Sequence, residues 1–111
     1  MNDEPKSSYE TAEANLFTRF ETGKQGTFLL PYSGLLFAHQ PPLAGSTIET
    51  LSVVYVTHTV TIRGTQLSPL LLVLQKGRAE IVRVGGEQPN GTTTTPAVRE
   101  ITVAEGQSNN I

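Results

Sequence analysis

The chain is 111 residues long, enough for one domain with a modest core and little more. It has no cysteine, no tryptophan and two histidines, and its formal net charge is −2. Disulfide and thiolate chemistry are excluded, no zinc-ligand spacing is present, and the basic excess of a strongly electrostatic nucleic-acid binder is missing.

Residues 1–7 are polar and are expected to form a disordered tail. From Ser8 to Phe20, Ala12, Leu16 and Phe20 recur at helical spacing, with Glu10 and Glu13 in the first turns where the dipole favours them. An N-terminal helix is the preferred reading. The competing one is a strand over Asn15 to Glu21 that turns through Gly23 to Gly26 into the next strand. Gly23-Lys24-Gln25-Gly26-Thr27 is not a phosphate loop, because its lysine precedes the second glycine and an extended segment follows.

Thr27 to His39 reads as two short strands with a kink or as an edge strand carrying a bulge, since Pro31 removes a ladder donor and Gly34 loosens the pairing. Gln40 to Ser46 is a loop stiffened by Pro41 and Pro42. Thr50 to Gly64 is the most regular stretch. Read as one strand, it places Val54, Val56, His58, Val60 and Ile62 on one face and Tyr55, Thr57, Thr59, Thr61 and Arg63 on the other. A straight strand of that length would span about 50 Å, too long for so small a domain. Either a bend or a hairpin near Thr57 to Thr59 is therefore expected, and the residues leave both open.

Ser68-Pro69 starts a helix of about residues 69–76, with the serine hydroxyl as its cap and Gly77 as its left-handed stop. Leu70, Leu71 and Leu74 form the inward stripe. Leu72 and Val73 complete a run apolar on every side, whereas a helix on a monomer surface keeps one side polar. A cover is expected over Leu71, Leu72 and Val73, from another subunit, a partner or the chain's own ends. Ala79 to Val84 is a strand, residues 85–96 a mobile polar loop, Val98 to Val103 a last strand, and residues 105–111 a disordered tail.

These elements predict a small single α+β domain over residues 8–104: an N-terminal helix, an antiparallel-rich sheet of four to five strands, and one helix at 69–76 packed on it. No cationic region precedes an apolar run, and the longest apolar run is the five residues Leu70 to Leu74. A soluble, cytoplasmic protein with no membrane segment is the expectation. No cofactor and no enzymatic activity are expected, because nothing local marks a nucleophile elbow and the carboxylates are scattered. The expected function is a binding or assembly module that forms a homo-oligomer through the apolar helix and a sheet edge. A ligand-binding or minor enzymatic site would use His58 beside Tyr55 or Tyr32.

A nucleic-acid reading would place Arg63, Arg78 and Arg83 on phosphates and stack Tyr32, Phe37 or Tyr55 on bases. The predicted order, a helix then five short strands of which one is long and strongly bent, resembles the Sm-like ring-forming RNA-binding proteins over about Ser8 to Val103. This likeness lies in element order alone and implies a ring-like oligomer that binds single-stranded RNA.

Overall fold

The computed structural model describes residues 8–13, 15–43, 45, 47–85 and 96–106. The predicted tail at 1–7, most of the loop at 85–96 and the last five residues lie outside them. The described residues form eight strands and one α-helix: β1 (Tyr9–Thr11), β2 (Phe17–Glu21), β3 (Thr27–Pro31), β4 (Leu35–His39), β5 (Glu49–Tyr55), β6 (His58–Thr65), α1 (Ser68–Gln75), β7 (Ala79–Arg83) and β8 (Ala97–Glu105). A single 3-10 turn, Tyr32–Gly34, joins β3 to β4. The strands form two four-stranded sheets, ordered β1-β7-β2-β3 and β4-β5-β6-β8. All neighbours are antiparallel except β2 and β7. The Cα radius of gyration, 13.8 Å, is that of one domain of this length.

One core lies between the sheets. Phe20 and Leu30 from the first sheet meet Leu51, Val53, Tyr55, Val60, Ile62, Ile101 and Val103 from the second, Leu70 and Leu74 enter from α1, and Leu67 enters from just before it. Each fully buried leucine contributes about 1.5–3 kcal/mol, so Leu70 and Leu74 anchor a helix of only eight residues that would not persist alone.

Three expectations are corrected. Among the described residues from Ser8 to Phe20 there is no helix; β1 and β2 stand there instead, and β2 turns through Thr22 to Gly26 into β3. Thr18 and Phe20 are buried and Phe17 and Arg19 exposed, so strand alternation governs this stretch. With its leading helix absent and eight strands in two sheets, the order on which the Sm-like likeness rested is not the observed one.

Of the two alternatives left open for Thr50 to Gly64, the hairpin is the one observed, and the second correction concerns only the faces assigned along it. Val56 and Thr57 link β5 to β6, and Val54 pairs with Thr59. The loop exchanges the inward set from Leu51, Val53 and Tyr55 to Val60 and Ile62, so Tyr55 lies in the core and Val56 at the surface. The third concerns the start of α1. Ser68 makes no cap bond to the helix. The Glu49 carboxylate on β5 accepts the N–H groups of Gln66 (3.2 Å) and Leu67 (2.9 Å) instead. At the other end Gly77 adopts φ +69°, while Arg78 N–H reaches Val73 O and Gly77 N–H reaches Leu74 O, as the glycine stop predicts.

Candidate interaction surface

β4 is the outer strand of its sheet and lies beside α1. Glu49 holds the two together, because its Oε1 accepts a 2.8 Å bond from the side chain of Gln40, at the end of β4, as well as the Leu67 N–H. Between β4 and α1 runs a groove of about 380 Å³, lined by Leu35, Leu36, Phe37 and Ala38 on one side and Leu71, Leu74 and Gln75 on the other. Leu36 is 52% exposed, Phe37 57% and Leu72 49%. No carboxylate, lysine or arginine lies among the lining residues.

The three helix residues expected at an interface divide here. Leu72 is open to solvent, whereas Leu71 and Val73 are half-buried and pack against the core. Leu36 and Phe37 extend the apolar surface. Their signal in the sequence is Leu35 to Ala38, four apolar residues in succession where a strand with one solvated face needs only alternate ones.

The other sheet edges are managed differently. β1 has three residues. β3 ends in Pro31. β8 is occupied at two points: Val98 exchanges both backbone bonds with Gly85, and Val103 exchanges both with the Gln25 carboxamide at 2.8 Å. Gln25 thus acts as a surrogate strand of one residue. β3 is equally long and uncharged and exposes Leu29, but it ends in a proline, whereas β4 exposes two large apolar side chains, Leu36 and Phe37.

The candidate ligand contacts do not converge. Arg63 lies on the outer face of the second sheet, 3.7 Å from Glu100. Arg83 lies on the outer face of the first, 2.7 Å from Glu10 and 3.3 Å from Glu21, and Glu21 also pairs with Arg19 at 3.1 Å. Hydrogen bonding to Glu10 holds the Arg83 guanidinium above its ordinary pKa. Arg78 is exposed beyond the end of α1. A single phosphate track over these three arginines is not formed.

The aromatic candidates are also separated. Tyr55 is 1% exposed, packed edge-to-face on Phe20 with ring centroids 6.1 Å apart, so it is not available to stack on a base. Burial first, and the neighbouring Tyr32 second, push its phenol well above the ordinary value, while the Thr18 hydroxyl beside it pulls it partly back. The Tyr55 hydroxyl has no well-formed hydrogen bond among the described residues. Tyr32, in the 3-10 turn, spends its hydroxyl on Ala79, donating to the carbonyl (3.2 Å) and accepting from the N–H (3.0 Å). His58 opens β6 with Nδ1 2.8 Å from the Thr57 hydroxyl and its ring 6.0 Å from that of Phe28.

Comparisons with protein-family models, curated proteins and solved structures find no match to this chain. The surface has to be read from its own geometry. Among the described residues no cluster of three or more metal-ligating side chains occurs, and no helix is long and apolar enough to cross a membrane.

Proposed function

We propose that this chain is a non-enzymatic binding and assembly module that self-associates through α1 and the edge of β4. The observation that carries the reading is the juxtaposition of exposed Leu36 and Phe37, on an outer strand, with the groove floored by Leu71 and Leu74. Exposed apolar side chains gathered round a concavity mark interaction surfaces, whereas scattered ones need no explanation. A second copy brings equally uncharged side chains and suffers no like-charge repulsion across this surface.

The test is the oligomeric mass of Leu72→Glu and Phe37→Glu, with Val84→Glu as a control at an exposed valine beyond β7. The first two changes are expected to weaken association at least tenfold, about 1.4 kcal/mol, and the control to leave it unchanged. Equal masses in all three variants would reject α1 and β4 as the surface.

A further inference from the structure

The ladder itself fixes how two copies would meet. Val103 turns both its N–H and its C=O away from β6, because both engage Gln25. In an antiparallel ladder the polar groups of successive residues alternate sides, and two residues directly opposite face each other or face apart together. Val60, opposite Val103, therefore bonds towards β5. Val53, opposite Val60, bonds back towards β6. Ala38, opposite Val53, consequently directs its N–H and C=O off the free edge of β4.

Side chains select the register. The irregularity between Leu35 and Phe37 breaks the alternation at Leu36, which leaves Phe37, Ala38 and His39 as the regular part of the strand. Ala38 shares the inward face with Val53, while Phe37 and His39 share the outward face with Val54 and Ser52. A two-fold axis at Ala38 sets outward residues against outward residues. An axis at Phe37 would set outward His39 against Leu35, which packs inward on the core.

Resting on the self-association reading, we infer that the partner is a second copy of this chain, joined β4 to β4, antiparallel about Ala38. The two four-stranded sheets become one sheet of eight. Ala38 exchanges two backbone bonds with Ala38 of the partner subunit, and Phe37 packs against His39 of the partner subunit. The axis is normal to the sheet, so both α1 helices lie on the same face and both grooves meet the joined edge.

The absence of cysteine makes the test clean. Phe37→Cys and His39→Cys are prepared separately with tags of different size, mixed and oxidised. Opposed residues of a pair without mutual backbone bonds lie about 4.5 Å apart at Cα, within disulfide reach. Covalent dimers containing one of each variant are expected, and neither variant alone should cross-link well. In the unmodified protein the Ala38 amide should exchange slowly with solvent, and faster on dilution. Cross-linking of Phe37→Cys with itself would move the axis and overturn the register. Absent cross-links and a fast Ala38 amide in a chain that light scattering shows to be dimeric would reject β4 pairing while self-association stood. A monomer at all concentrations would remove both.

Discussion

Tyr32 and Tyr55 carry the same hydroxyl in opposite circumstances, so removing each should have opposite effects. In Tyr32→Phe, the Ala79 N–H loses a 3.0 Å acceptor and the Ala79 carbonyl loses one of two side-chain donors, keeping Thr18 at 2.8 Å. A buried polar group stripped of a partner costs about 1–3 kcal/mol, which corresponds to several degrees in Tm for a domain of this size. In Tyr55→Phe, the ring and its contact with Phe20 remain, and the hydroxyl removed had no well-formed bond. That change should be neutral or stabilising by up to about 1 kcal/mol. Urea denaturation followed by circular dichroism measures both, with an unchanged m value as the check that the native state is intact.

The alkaline limb adds a second readout. Tyr55 in the folded protein has its pKa raised above the unfolded value of 10.0, so its contribution is fully present below pH 10. Above that, the unfolded chain releases a proton that the folded chain keeps, and stability falls by up to about 1.4 kcal/mol per pH unit. Tyr55→Phe should flatten this decline. Equal losses from the two substitutions, or an alkaline limb unchanged by Tyr55→Phe, would refute the assignment of bonded and unbonded hydroxyls.

Three further perturbations test the scaffold. Glu49→Ala strips the acceptor from Gln66, Leu67 and Gln40 together and should cost about 2 kcal/mol in thermal unfolding, with Glu49→Gln losing less. Gly64→Ala places a methyl against the Ala97 carbonyl oxygen and 3.0 Å from Val98 Cα, at the irregularity between β6 and β8. Backbone must shift, so a loss of about 2 kcal/mol or more in urea unfolding is expected. Gln25→Ala leaves Val103 N–H and C=O without their surrogate strand. A loss of about 1 kcal/mol and faster hydrogen exchange at Val103 should follow.

Much of the second sheet and of α1 was legible in the residues. Val60 and Ile62 face inward as their spacing requires, β3 and β4 are separated at Pro31 to Gly34, and Gly77 stops the helix. The inward face of β5 was not legible, because Val53 and Tyr55 on one side compete with Val54 and Val56 on the other, and the Val56-Thr57 loop carries no turn glycine to announce the reversal. The N-terminal stretch misled for a related reason: Leu16 and Phe20 fit helical spacing, but Thr18 spends its hydroxyl on Ala79 in the core, a partner 61 residues away. Glu49 as the acceptor for the two residues that lead into α1 and Gln25 as an edge cover are likewise long-range contacts that no local pattern encodes.

At the candidate surface, the exposure of Leu72 was readable from the helix, because an apolar run with no polar side turns one apolar residue outward. Leu36 and Phe37 were marked by the apolar run Leu35 to Ala38, but their exposure was not readable, since it depends on which strand ends the sheet. The three arginines looked like a set only along the chain. In space Arg63 and Arg83 occupy outer faces of different sheets.

The most direct measurement is the mass of the unmodified chain by light scattering across a size-exclusion peak, over a dilution series, with absorbance recorded at 260 and 280 nm. The account predicts a dimer that dissociates on dilution and shows protein-only absorbance. A monomer at every concentration, or mass that appears only with copurified nucleic acid, would contradict it.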